Sequence, residues 1–321
     1  MQYGPLTILA GSSNPSFAAG LAESLGQRVG AMTLKRFRDG ESFVEVKENI
    51  RGRDVYIVQS TCSPVNENLM ELLVILDAVK RASADRITVV LPYFGYARQD
   101  RKTSGRTPIS ARLVASLLER AGANRVLALD LHAGQIQGFF DIPVDHLYAT
   151  PAFLEAVREK HGTDPSKLVV VSPDAGGVER ALAYAKRLQV PLAVCDKRRI
   201  EAGKVEEIRV IGDVEGRYAL IVDDIVDSAG TLKKAAAALK EAGATGVSAI
   251  CTHAVLSAPA VENIASSVLD SVLVTDSIPL RPDAAACPKI TVVTVAGLLG
   301  EAVRRIHHGD SVSMLFEPHK V

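Results

Sequence analysis

The densest chemistry in the chain lies in one stretch, Asp223-Asp224-Ile225-Val226-Asp227-Ser228-Ala229-Gly230-Thr231. It follows the apolar run Ala219-Val222 and precedes a helical pattern over Lys233-Ala242. Ligands of open α/β sheets bind at the carboxyl ends of strands. A helix start there offers backbone N–H groups and the positive end of its dipole to an anion. The N–H groups of Asp227-Thr231 would therefore face a phosphate. Small side chains let the backbone approach it, and Ser228 and Thr231 add hydroxyl donors. Asp223 and Asp224 would repel that phosphate and need another partner. They can accept hydrogen bonds from vicinal hydroxyls of a sugar, or bind a cation through water. Two acids that end a buried strand before a Ser-Ala-Gly-Thr turn argue against a merely solvated helix cap.

Three further groups could act on phosphates. Lys197-Arg198-Arg199 follows an apolar run and precedes the Gly-containing segment Ile200-Lys204. Such a run is usually a solvated face, yet mobile cations also stabilise charge developing on phosphoryl oxygens. Arg98-Gln99-Asp100-Arg101-Lys102 follows another run and an aromatic turn. Asp130-Leu131-His132 ends a third run, and Asp174 lies in the glycine-containing loop SPDAGG. Glycines there would let amides approach a diphosphate.

Composition narrows the partners. The 321 residues carry 37 Lys plus Arg and 37 Asp plus Glu, so the formal charge is zero. Duplex nucleic acid, which needs a basic surface, is excluded as the main partner. Cys62, Cys195, Cys251 and Cys287 are scattered, which disfavours a zinc ribbon or disulfide framework and points to a reducing compartment. No apolar run approaches the roughly 18 residues of a membrane span, so the expectation is a soluble, cytoplasmic protein without membrane partners.

The elements that must position these residues alternate between short β-branched runs and longer helical patterns. The runs are Leu6-Ala10, Val55-Val58, Ile87-Leu91, Val126-Leu129, Leu168-Val171, Leu192-Val194, Ala219-Val222, Val247-Cys251, Val272-Val274 and Ile290-Val293. Continuous apolar runs between helices predict buried parallel strands. The chain also repeats itself. LTILAGSSNPSFAAGLAESLG from Leu6 matches LVVVSPDAGGVERALAYAKRLQ from Leu168, VGAMTLKRF from Val29 matches VPLAVCDKR from Val190, and the segment from Arg51 matches that from Glu215. The offset stays between 161 and 164 residues. The expected organisation is α/β with two tandem domains, residues 1–147 and 148–321, each a mainly parallel sheet flanked by helices, and the last residues could pack on the first domain. Ser12, Gln59, Ser60 and Ser63 stand where the second half has acids, so only the second half looks able to hold a sugar phosphate.

The stretch around Asp223 resembles the phosphoribosyl diphosphate loop of type I phosphoribosyltransferases. Adding FRDGES (37–42), QSTCSPVNENLMELL (59–73), PYFGYARQDRK (92–102), DLHAGQIQGFFDIPVDH (130–146), VVSPDAGGVERA (170–181) and CDKRR (195–199), the chain resembles the class I ribose-phosphate diphosphokinases over nearly its whole length. That resemblance implies two phosphoribosyltransferase-type domains. It implies transfer of the β,γ-diphosphate of Mg–ATP to the 1-hydroxyl of ribose 5-phosphate, giving AMP. It makes Lys197 and Arg199 catalytic, and Phe37, Asp39, Glu41, Arg98, Gln99 and His132 ATP contacts. It gives Asp223, Asp224, Asp227, Ser228, Ala229, Gly230 and Thr231 to ribose 5-phosphate, and His132 and Asp174 to Mg2+. Arg51, Ser83, Ser311 and Ser313 resemble an allosteric anion site for phosphate and ADP. A homohexamer with ATP sites shared between subunits is also implied.

The sequence departs from that pattern at Ser228, where Thr is usual, at Ala133-Gly134, where Ala-Glu is expected, and over Lys102-Thr107. Two rivals remain at this level. A phosphoribosyltransferase consuming the diphosphate product would share only the last loop and one half of the chain. A non-catalytic regulatory relative would be expected to have damaged CDKRR and DDIVDSAGT segments.

Overall fold

The computed structural model describes residues 3–161, 164, 166–198 and 207–315. The first half opens with β1 (Leu6–Ala10), α1 (Pro15–Ser24) and a hairpin of β2 (Met32–Arg36) and β3 (Ser42–Val46). It continues through β4 (Asp54–Val58), α2 (Val65–Arg81), β5 (Arg86–Leu91), α3 (Ser110–Ala121), β6 (Arg125–Leu129) and β7 (Val144–Leu147). Five strands form one sheet in the order β1-β4-β5-β6-β7, every pair parallel. β4 and β5 are buried at every position. Burial of both faces is what their unbroken apolar runs require.

The second half runs α4 (Thr150–His161), β8 (Leu168–Ser172), α5 (Val178–Leu188), β9 (Leu192–Arg198), β10 (Glu207–Ile211), β11 (Tyr218–Val226) and α6 (Gly230–Glu241). It then runs β12 (Gly246–Ala254), α7 (Ala260–Ala265), β13 (Ser271–Thr275), α8 (Pro282–Ala285), β14 (Ile290–Val293) and α9 (Ala296–His308). Its sheet has the order β10-β9-β8-β11-β12-β13-β14. Only β10 is antiparallel among these pairs. The block β8-β11-β12-β13-β14 repeats the order β1-β4-β5-β6-β7, so the two sheets share one topology. β2, the counterpart of β9, pairs instead with β3 in a separate ribbon.

By contacts, the chain divides into Met1–Tyr148 with Ser277–Pro279 and Val295–Val321, and Ala149–Asp276 with Leu280–Thr294. α9 thus belongs with the first unit, where it packs on α1; of the range 148–321, the last residues group with the first unit, as the sequence reading allowed, and so does the short segment Ser277–Pro279. A buried polar knot contributes to this docking. Asp54, fully buried, receives both Arg86 Nε (2.7 Å) and Nη2 (2.5 Å). His307 Nδ1 of α9 lies 2.7 Å from the same carboxylate, and Arg86 Nη2 donates to Ile306 O at 3.2 Å. The Tyr3 ring lies 3.5 Å beneath the Arg86 guanidinium. All four cysteines are buried free thiols, and no helix among the described residues is long and apolar enough to cross a membrane.

Candidate active site

In the second unit, β11 runs on through Asp223 and Asp224 to Val226, so the acids lie within the strand and do not end it; they stand beyond its pairing with β8, which stops at Ile221, and within its pairing with β12. Asp224 is buried and Asp223 half-buried. The Asp224 backbone N–H donates to Asp223 Oδ1 at 2.9 Å, which fixes the Asp223 side chain. Arg180, from the first turn of α5, reaches both: its Nη1 lies 3.0 Å from Asp224 Oδ1 and 3.5 Å from Asp223 Oδ1. Burial, and then the neighbouring Asp224 charge, push Asp223 up to about 7, while Arg180 pulls the other way. Cys251 faces Asp223 across the β11–β12 ladder. Burial and then the two carboxylates drive its thiol well above the ordinary range, so it serves as an apolar floor and not as a nucleophile.

The chain then turns sharply. Leu256 N–H donates to Val226 O at 2.9 Å, and Asn263 Nδ2 donates to Ser228 O at 2.9 Å. Ala229 adopts a left-handed conformation, φ +56°, as the N-cap of α6. A non-glycine residue held there carries strain, a feature that concentrates at ligand clamps. α6 starts at Gly230, earlier than the sequence pattern indicated, so Gly230 and Thr231 form its first turn. A Cβ on Gly230 would meet only Ser228 Oγ, at 3.7 Å. Internal packing therefore does not demand glycine, whereas close approach of a ligand to the backbone would. Ser228 and Thr231 are exposed. Asp174 lies at the carboxyl end of neighbouring β8, its Oδ1 accepting from Gly177 N–H at 3.0 Å. Its loop is braced by Ser172 Oγ donating to Asp174 O at 2.6 Å.

In the first unit, the loops after β5 and β6 carry Arg98, Gln99 and His132, all exposed. Gln99 O accepts from Ala111 N–H at 3.2 Å, and its side-chain oxygen accepts from Ser110 Oγ. Gln135 Nε2 donates to Asp100 Oδ2 at 2.6 Å, tying the two loops together. Leu131 N–H donates to buried His146 Nε2 at 2.8 Å, fixing the turn before His132. Phe37, Asp39 and Glu41 occupy the tip of the β2–β3 ribbon, closed by Phe37 N–H donating to Glu41 O at 2.9 Å. The Phe37 ring is 55% exposed and meets Phe43 edge-on at 5.8 Å, leaving a face for stacking.

The matching loop of the first unit is filled from within. Gln59 Nε2 donates to Glu71 Oε1 at 2.9 Å and to Asn68 O at 3.2 Å. Ser12 N–H and Oγ both donate to Glu71, and Ser13 Oγ donates to Gln59 Oε1 at 2.7 Å. The donors that would face a phosphate are spent on Gln59 and Glu71.

Other assignments fall as follows. β9 extends through Arg198, so Lys197 and Arg198 lie within a strand paired with β10 and do not follow it. Arg199 and the segment 200–206 lie outside the described residues. Arg51 and Ser83 sit in adjoining turns linked by Gly52 N–H donating to Ser83 O at 2.9 Å. Ser311 and Ser313 form one turn after α9, where Ser313 N–H donates to Ser311 Oγ at 3.3 Å. Arg180 was not singled out from the sequence: a charge four residues after Gly176 looks like a solvated helix position until α5 is placed against β11.

Comparison with known proteins agrees with this architecture. Residues 6–122 match the family model described as the N-terminal domain of ribose phosphate pyrophosphokinase, and residues 199–317 match the phosphoribosyl synthetase-associated domain. A ribose-phosphate pyrophosphokinase of Chromobacterium violaceum is 55% identical over 320 residues, covering 99% of this chain and 97% of the relative. That of Burkholderia pseudomallei is 54% identical over 312 residues, 97% of each chain. The crystal structure of phosphoribosylpyrophosphate synthetase from Mycobacterium smegmatis superposes with a TM-score of 0.89 at 43% identity, covering 95% of this chain and 99% of that one.

Proposed function

The chain belongs to the ribose-phosphate pyrophosphokinase family, and on that premise we propose that it transfers the β,γ-diphosphate of ATP to the 1-hydroxyl of ribose 5-phosphate. The observation that carries the assignment is the β11–α6 connection: two carboxylates held by Arg180, then a short turn into a small-residue helix start whose glycine is not required by internal packing. The 5-phosphate would lie on the N–H groups and hydroxyls of Asp227, Ser228, Ala229, Gly230 and Thr231. Asp223 and Asp224 would accept from the ribose hydroxyls. The 1-hydroxyl oxygen bonds to the β-phosphorus, the bond to the α-phosphate oxygen breaks, AMP leaves, and the hydroxyl proton passes to solvent. Lys197 and Arg199 would offset charge developing on the phosphoryl oxygens. Arg98, Gln99 and His132 would hold the nucleotide phosphates, and Phe37, Asp39 and Glu41 the adenine.

Mg2+ is the metal this reading calls for. Asp174, on its braced turn, offers a carboxylate that a hard cation retaining several waters could use with substrate phosphates, and the family resemblance adds His132 as a ligand. Bound there, Mg2+ would neutralise phosphate charge. The family resemblance further supports a homohexamer sharing ATP sites, phosphate and ADP acting near Arg51, Ser83, Ser311 and Ser313, and a cytoplasmic location.

The test is AMP formation from ATP and magnesium, with and without ribose 5-phosphate, following the sugar by phosphorus NMR. AMP that appears only with the sugar, alongside a new diphosphate ester, is the expected result. ADP formation would overturn the reaction assignment.

A further inference from the structure

Asp223 and Asp224 present a physical problem that the loop itself does not solve. Two adjacent carboxylates, one of them 5% exposed in its side chain, must keep a shared orientation towards a diol despite their repulsion. The Asp224 amide supplies one restraint, through Asp223 Oδ1. The second comes from another element. Arg180 stands on α5, itself preceded by the Asp174 turn, and its side chain is only 24% exposed. The same Nη1 approaches Oδ1 of both carboxylates, at 3.0 and 3.5 Å. A guanidinium is a planar fork that remains charged. A carboxylate has about four acceptor sites, so contact with Arg180 leaves each acid acceptor capacity for hydroxyl groups.

We propose that Arg180 is a positioning residue for ribose 5-phosphate, holding the Asp223–Asp224 pair in the arrangement that receives the sugar diol. The proposal rests on the assignment of that pair to the ribose. Arg180 touches neither the transferred group nor the nucleotide in this account. Its effect therefore falls on sugar affinity and not on the chemical step.

The experiment varies ribose 5-phosphate at saturating Mg–ATP for the wild type, Arg180→Gln and Arg180→Lys, with calorimetric titration of the sugar phosphate into each full-length protein. Arg180→Gln should raise KM and Kd for the sugar by about 10- to 100-fold, the scale of disturbing hydrogen bonds to charged groups. Its kcat should stay within about threefold and KM for ATP within about twofold of the wild type, since those steps use other groups. Arg180→Lys should fall between the two, because its ammonium keeps the charge but, on a shorter side chain, does not reach the position of Nη1. Wild-type KM in a folded Arg180→Gln protein would overturn the proposal, as would loss of kcat at unchanged KM. If Arg180→Gln does not fold, Arg180→Lys decides: a raised sugar KM supports the role and a wild-type value overturns it. Failure of the wild type itself to form AMP would count against the functional assignment, a result separable from any Arg180 outcome.

Discussion

Replacement of Gly230 by alanine separates the demands of the fold from those of the ligand. Gly230 opens α6, its φ lies outside the left-handed region, and a Cβ there meets only Ser228 Oγ at 3.7 Å. The folded protein thus accommodates alanine without a clash. Alanine also narrows the unfolded ensemble, so Gly230→Ala should leave stability unchanged or raise it by about 0.5 kcal/mol. The added methyl nevertheless occupies the space through which a phosphate would approach the first N–H groups of α6. Displacing one charge-assisted hydrogen bond costs about 1.5–3 kcal/mol, which corresponds to roughly 10- to 150-fold in KM for ribose 5-phosphate. Steady-state kinetics and urea unfolding on the same preparation test both halves. An unchanged sugar KM would refute the claim that the α6 start cradles the phosphate. A large loss of stability would refute the claim that internal packing leaves glycine optional.

The protonation of Asp223 gives a pH signature. Its folded value of about 7 lies above the ordinary carboxylate value of 3.8, so the folded state holds the proton more tightly than the unfolded chain. Its contribution to stability is present at low pH and fades as pH rises through 7. Asp223→Asn should flatten the fall in Tm of the ligand-free protein between pH 5 and 8 while abolishing sugar binding; an equally steep fall in the variant would refute the assignment. Gln59→Ala strips partners from Ser13 and Glu71 in a buried network and should cost about 2 kcal/mol, read from the urea midpoint, with the sugar KM of the surviving enzyme unaltered. Arg86→Met leaves Asp54 buried without its bidentate partner and should cost about 3–5 kcal/mol. A loss below 1 kcal/mol, measured by the same unfolding transition, would mean that the knot beneath α9 is energetically idle.

Much of this architecture was legible because buried parallel strands leave a strong mark. All ten apolar runs, from Leu6-Ala10 to Ile290-Val293, lie in strands of the two sheets. The remaining strands lack that mark. β2 is half-buried over its first three residues and exposed over its last two, β3 alternates half-buried with exposed positions, β7 contains Asp145 and His146, and β10 is an antiparallel edge. The apolar run of β9 ends at Val194, and Asp196, Lys197 and Arg198 read as loop, although pairing with β10 keeps them extended. The acid pair and the turn of the sugar loop were visible as a contiguous string. Arg180 was not, because its role arises from tertiary placement of a helix face. The return of α9 to the first unit, expected above only in outline for the last residues, has no local mark, since the contacts of Asp54 with His307 span 253 positions.

The plugged loop of the first unit bears on how such a duplicated chain can change. Gln59, Glu71, Ser12 and Ser13 each satisfy at least one of the others. Removing any one strands a buried polar group before it opens any space for an anion. Recovery of phosphate binding in this half would require several simultaneous replacements, with every intermediate less stable than its parent. The network therefore works as a ratchet: once the copy had closed over its own side chains, stepwise mutation could refine it as scaffold but not readily return it to a binding site.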